Sequence, residues 1–375
     1  MKRVAIIMAG GSGERFWPLS RAKRPKQLLN LNSQTQTMIE ESIARIAPLI
    51  NIEDIYIITS SLLLEPVRNA LPNLPPENVI AEAAKRNTAP CLALAAAFIK
   101  EKYSSVGCPA NQISIAVLTA DQRIEPAELF VETVDNVMNY VENHKVLATI
   151  GIIPSRPETG YGYIQVENKF EESPKPEIQA VVKFLEKPDL SKAIEFVATG
   201  NFLWNSGMFF WRLDTFIEGM IENIPEIGNK IADFSNLYKG KTELELPDFL
   251  HTTKDLYESL PNISIDYALM EKAKNVVVAK ALFNWDDIGS FDSLERVHQL
   301  DENGNISIGI NSILETNNSI IFNSTANKSV VATLGLDDIV VIVSDDAVMV
   351  CQKNRVQEIK KNVEDLRKKG LNNWL

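Results

Sequence analysis

Residues 2–20 read "KRVAIIMAGGSGERFWPLS". "KRVAII" is a short apolar run that suits a buried strand, and three glycines, an arginine and a Trp-Pro pair follow almost at once. A strand running into a glycine-rich loop is a common way for α/β proteins to offer backbone N–H groups to an anion. Two phosphate-loop patterns can be tested against it. The string G-x-x-x-x-G-K-[ST] does not occur in the sequence, and G-x-G-x-x-G is met at Gly11 and Gly13 but broken by Phe16. The shared physics still applies. Gly10, Gly11 and Gly13 let the backbone approach an anion closely, and Arg15 adds charge-assisted donors. A plain tight turn beside a solvated arginine would use the same letters. "KRPKQLL" then supplies Lys23, Arg24 and Lys26, which tips the reading toward phosphate.

Working outward, "IEDIYIITS" (52–60), "ISIAVLTAD" (113–121) and "KVLATIGII" (145–153) are further β-branched runs. "TMIEESIARIAPLI" (37–50), "TAPCLALAAAFIKEKY" (88–103) and "PAELFVETVDNVMNYVENH" (126–144) have helical spacing between them, the second starting at Thr88. This alternation predicts an α/β, Rossmann-like domain with a mixed, mostly parallel sheet covered by helices on both faces. Ligands of such sheets bind at the carboxyl ends of the strands, where "MAGGSGER" and "TADQR" fall. After about residue 160 the pattern is mixed: "GYGYIQVE" and "AVVKFLEKP" read as sheet, "LSKAIEFVATG" as helix, and "WNSGMFFWR" as an aromatic stretch containing a turn. From about 303 the chain is rich in Asn, Ser and Ile/Val with frequent turns, which predicts a small β-domain or β-helix. "NRVQEIKKNVEDLRKKG" (354–370) reads as a terminal amphipathic helix for packing or dimer contact. We therefore expect a catalytic domain over 1–300 and a β-rich domain with terminal helix over 301–375.

Composition narrows the function. The chain has 375 residues, net charge -11 and three cysteines without metal-ligand spacing. So acidic a protein is poorly suited to nucleic acid or an anionic membrane surface. The cysteine usage suits a reducing compartment. No apolar run reaches the length of a membrane span, and "VAIIMAGG" is too short for a signal segment, so we expect a cytoplasmic protein.

The stretch "MAGGSGERFWPLSRAKRPKQLLNL" resembles the opening of the sugar-phosphate nucleotidyltransferase family. Its pattern G-G-x-G-x-R-x-W-P-L-S followed by P-K-Q is similar to the mannose-1-phosphate guanylyltransferase branch. "AEAAKRNTAP", "TADQRI", "TGYGYIQ", "FLEKPD", "NFLWNSGMFFW", "SIDYALMEKA" and "WDDIGSFDSL" follow in the family's order and span residues 4–294. The resemblance implies attack of a sugar-1-phosphate oxygen on the α-phosphate of a nucleoside triphosphate, with GTP and α-D-mannose 1-phosphate giving GDP-mannose and pyrophosphate. It needs no covalent intermediate, only positioning and neutralisation of two polyanions.

Under that resemblance each island acquires a role. Arg15 and Lys26 bind the triphosphate with Gly10, Gly11 and Gly13. Asp121 and Asp287 hold Mg²⁺, whose preference for few carboxylates plus phosphate oxygens fits. Asp286 competes with Asp287, and the family's W-x-D-x-G register selects Asp287. Glu82 accepts from the N–H donors of guanine, with Asn87 shaping the base pocket. Gly162, Glu186, Lys187 and Asn205 bind the sugar phosphate. Alone, each of these would pass as a turn, cap or solvated surface residue.

The sequence departs from the family at Ala83, where Pro is usual, and at Thr119 and Gln122 around "AD". Longer members carry an isomerase domain after the transferase. With 375 residues and three histidines we expect that second activity to be absent. The resemblance also implies a homodimer. The alternatives are a transferase for another hexose 1-phosphate or nucleotide, or a silent sugar-nucleotide-binding paralogue. The presence of Arg15, Lys26, Asp121, Lys187 and Asp287 argues against silence.

Overall fold

The structure, a computed structural model, describes residues 1–33, 35–170, 176–239, 246–326 and 328–375. It divides into two compact units that do not follow chain order. One comprises Met1–Ala9, Ser42–Thr119 and Ile124–Trp285; the other comprises Gly10–Glu41, Ala120–Arg123 and Asp286–Leu375.

The first unit is built on one mixed sheet. Its parallel half comes from the runs read as strands: β1 (Lys2–Met8), β2 (Ile55–Ser60), β3 (Val79–Glu82) and β4 (Ile113–Thr119). After the short β5 (Arg123–Glu125) come β6 (Leu147–Ile152), β7 (Tyr163–Val166), β8 (Ile178–Leu185), β9 (Phe202–Arg212) and β10 (Val276–Lys280). The order across the sheet is β3-β2-β1-β4-β9-β6-β10-β8-β7. Val4, Ala5, Ile6 and Ile7 on β1 are each at most 1% exposed, so apolar side chains point to both covered faces. The helix Thr88–Ser104 starts where the sequence suggests. It is apolar nearly all round, and Ala89 to Ile99 are buried. Asn87, at φ 68°, caps it by accepting from the Thr88 N–H at 2.9 Å.

One reading is corrected. "WNSGMFFWR" does not turn the chain. It belongs to β9, eleven residues long, which runs antiparallel between β4 and β6. The turn-like Asn-Ser-Gly string instead marks an irregularity in the pairing. Gly207 takes φ +73°, and the register against β6 shifts between Thr149 and Gly151.

In the second unit, after β11 (Asn284–Asp286), the Asn-rich region coils as a β-helix. Strands β12 (Ile306–Ile308), β14 (Ile320–Asn323) and β16 (Ile339–Val343) stack in parallel. β13 (Asn311–Asn317) and β15 (Val331–Asp337) stack in parallel in a second sheet, and β17 (Val348–Gln352) closes antiparallel on β16. The asparagines serve the corners. Asn318 and Asp338 take positive φ at equivalent positions of successive coils, and Asn317 donates to Asp337 at 2.9 Å.

This unit's core includes the segment after the glycines. Phe16, Trp17 and Leu19 pack with Ile288, Phe291 and Ile306, and Val356, Ile359 and Val363 cover them from the C-terminal helices Lys353–Glu358 and Ile359–Lys368. Phe16 meets Phe291 edge-on at 5.0 Å between ring centroids, and the Trp17 indole N–H donates to the Trp374 carbonyl at 2.8 Å. No helix among the described residues is long and apolar enough to cross a membrane. Phe16→Ala should destabilise this unit by about 3–5 kcal/mol. Urea unfolding followed by tryptophan fluorescence checks this, and an unshifted midpoint would contradict the packing.

Candidate active site

In the second unit, an open cleft of about 480 Å³ is lined by Ser12, Gly13, Glu14, Arg15, Phe16, Lys26, Asp121, Gln122, Asp287, Gly289 and Lys360. Of the three glycines only Gly13 has positive φ, at +62°. A Cβ there would lie 2.6 Å from Lys26 Cβ and 2.8 Å from Lys26 N. An added Cβ at Gly11 meets nothing within 4 Å. The strict need for glycine at position 13 therefore comes from close packing of the turn on Lys26, and Gly11 does not share it.

Lys26 is only 6% exposed. Its ammonium donates to Asp121 Oδ2 at 3.1 Å and to the Asp287 carbonyl at 2.6 Å. The Lys26 side chain thus joins three segments far apart in sequence. Arg15 Nη1 donates to the Gly289 carbonyl at 3.0 Å and to Gln357 Oε1 at 3.3 Å. Lys23 and Arg24 are exposed and do not line the cleft. The cationic cluster read from "KRPKQLL" contributes only Lys26.

Asp121 and Asp287 both line the cleft, and the Asp121 side chain is 40% exposed. Asp286 is spent elsewhere. Its carboxylate pairs with Arg296, with one contact at 3.0 Å, and accepts from the Ile288 N–H at 2.8 Å. Two aspartates lining one cleft suit a hard divalent cation that takes its other ligands from phosphate and water. The described residues hold no group of three or more side chains that could hold a metal unaided.

Two other clusters lie in the first unit. Glu82, the last residue of β3, accepts from the Tyr257 hydroxyl and from the Cys91 thiol. Burial pushes its carboxyl up to about 7; the donors Tyr257 and Cys91 and the charge of Lys85 oppose this. The Asn87 side-chain oxygen is engaged in capping the adjacent helix.

Gly162, Glu186, Lys187 and Asn205 do come together. A Cβ on Gly162 would lie 2.5 Å from Glu186 Oε2, so glycine is what allows the carboxylate against the backbone. Lys187 pairs with Glu186 at 2.7 Å, which raises the ammonium pKa. The Asn205 N–H donates to the Gly162 carbonyl at 2.8 Å, and its amide Nδ2 donates to Asp266 Oδ1 at 2.9 Å. Burial first, then the charge of Glu186, raises Asp266 to about 6. Sequence reasoning gave no role to Asp266, Tyr257 or Lys360. The first lies in a quoted island, "SIDYALMEKA", but Tyr257 and Lys360 carry no local signal beyond ordinary helical patterning.

A glycine turn, a buried lysine bonded to two aspartate residues and an open cleft lined by three cations have the chemistry to meet a phosphate. The comparisons go further: the nucleotidyl transferase family profile matches residues 4–304, and the chain belongs to that family. A MannoseP isomerase/GMP-like beta-helix domain profile matches residues 311–366. The chain is 35% identical over 98% of its length to mannose-1-phosphate guanylyltransferase of Escherichia coli K12, covering 74% of that protein. It is 34% identical over 98% to alginate biosynthesis protein AlgA of Pseudomonas aeruginosa, covering 73% of it. A crystal structure from Thermus thermophilus, described as mannose-1-phosphate geranyltransferase, superposes with a TM-score of 0.82 at 31% identity. It covers 98% of this chain and all of that one.

The raised Glu82 pKa fixes a sign. Folded Glu82 holds its proton up to about 7, whereas an unfolded glutamate releases it near 4.5. Between these values the folded state binds more protons, so this carboxyl's contribution to stability falls as pH rises through the window. Glu82→Gln should therefore gain stability relative to wild type from pH 5 to pH 8. Urea unfolding of both proteins across that range tests it, and a pH-independent difference would contradict the buried carboxyl.

Proposed function

We propose that the chain transfers GMP from GTP to α-D-mannose 1-phosphate, releasing pyrophosphate. The observation that carries the reading is Lys26 held between Asp121 and Asp287 in the cleft that Gly13 and Arg15 line. The names of the 35–36% identical mannose-1-phosphate guanylyltransferase relatives supply the base and the sugar.

A phosphate oxygen of the sugar phosphate attacks the α-phosphorus in line. The new P–O bond forms as the bond to the β-phosphate oxygen breaks, and pyrophosphate departs with that electron pair. Lys26 and Arg15 offset the charge gathered on the phosphates. Asp121 and Asp287 would hold Mg²⁺, which as a Lewis acid would withdraw charge from the transferring phosphate. Glu82, ionised, accepts from the N1–H and N2–H donors of guanine. Glu186 accepts from sugar hydroxyls, Lys187 takes the sugar phosphate, Gly162 offers its backbone, and Asn205 is positioned through Asp266. A homodimer and a cytoplasmic setting belong to this proposal; the first rests on the resemblance and the second on the cysteine usage.

Pyrophosphate release across four nucleoside triphosphates and several hexose 1-phosphates tests the reading. We expect turnover with GTP and mannose 1-phosphate, reduced by at least about 100-fold in Asp121→Ala and Asp287→Ala. Preference for another pair would replace the substrates and keep the chemistry. No turnover with any pair would overturn the enzymatic reading.

A further inference from the structure

Three cations line the cleft, and they are not equivalent. Lys26 is committed to Asp121 and the Asp287 carbonyl. Arg15 is partly committed to Gly289 and Gln357. Lys360, in the first turn of the helix Ile359–Lys368, lines the same cleft, yet its ammonium makes no hydrogen bond or ion pair among the described residues. A cation without a carboxylate partner, beside two others and facing open space, has all three donors available to an anion.

Its position is held, although its head is exposed. Ile359 and Val363 on the same helix are each 3% exposed in the core that also contains Phe16 and Trp17. Arg367 pairs with Glu14 at 2.5 Å, and Gln357 bonds to both Arg15 and Ser290. The segment carrying Lys360 is therefore fastened to the glycine loop at both ends. The neighbouring Lys361 pairs with Glu358 at 2.7 Å and does not line the cleft.

We propose that Lys360 binds the β- and γ-phosphates of the nucleoside triphosphate, the part that leaves as pyrophosphate. This rests on the function proposed above. Lys26 already sits at the aspartate pair, where the α-phosphate reacts. A further unpaired cation in the cleft serves the polyanion beyond that point.

Titration calorimetry with GTP, GMP and inorganic pyrophosphate tests this on wild type, Lys360→Ala, Lys360→Arg and Lys361→Ala. We expect Lys360→Ala to weaken GTP and pyrophosphate about tenfold while GMP changes less than about twofold. Lys360→Arg should restore most of the loss, and Lys361→Ala should match wild type. Unchanged GTP affinity in Lys360→Ala overturns the proposal, as does an equal loss for GMP or in Lys361→Ala. If wild type prefers another triphosphate and Lys360→Ala weakens that one, the guanine reading fails and the Lys360 assignment stands. If wild type binds neither triphosphate nor pyrophosphate, both fall.

Discussion

The arrangement of the cleft around Lys26 depends on the absence of a side chain at residue 13. The turn at Gly13 lies so close to Lys26 that a Cβ would overlap both its Cβ and its amide nitrogen. That contact sets where the Lys26 backbone sits, and its side chain then reaches Asp121 and the Asp287 carbonyl. A lysine this buried is stable only when its charge meets a carboxylate or carbonyl partner. Glycine, lysine and two aspartates from three separate segments therefore form one interdependent set. The turn is tied in twice more, because its Gly13 carbonyl accepts from the Phe16 N–H and the Ser20 hydroxyl, each at 2.8 Å.

The same segment explains why the compact units ignore chain order. The chain leaves β1 at Met8, and within two residues it enters a unit whose core is mostly C-terminal. Phe16 and Trp17 are too large and apolar to leave a glycine loop in water, and Phe291, Val356 and Ile359 bury them. The glycine loop gains rigidity from this without adding polar groups to its open side. The β-helix, which offers few chemical groups itself, serves the cleft by holding its walls, and its terminal helix brings Lys360 to it.

Much of this was legible in the sequence for identifiable reasons. Runs such as "VAII" and "IYIITS" are buried on both faces, and continuous β-branched apolar letters signal that directly. Asp121 and Asp287 were legible through the islands around them, not through their own chemistry. What stayed hidden depends on three-dimensional neighbours. Asn-Ser-Gly at 205–207 is written like a turn, and only pairing with β4 and β6 keeps it in a strand. Lys360 and Lys361 are adjacent letters in a solvated helix pattern, and nothing local says that one faces a cleft while the other pairs with Glu358. The need for glycine at 13 rather than 11 likewise depends on where Lys26 folds.

The two carboxyl clusters of the first unit show the opposite electrostatic strategy. Burial raises Glu82 to about 7 and Asp266 to about 6, so each gives up its proton less readily than a solvated carboxyl. Asp266 receives one from the Asn205 amide; Glu82 receives them from Tyr257 and Cys91. On the proposed reading, guanine brings two more N–H donors to Glu82 and lowers its pKa by stabilising the charged form. Base binding and loss of the Glu82 proton then favour each other. Uracil and thymine flank their single N–H with acceptors, so they match the protonated carboxyl and do not favour its charge. Guanine's two adjacent donors are met in full only by the charged form, so on this reading its binding draws off the proton that burial otherwise keeps on Glu82.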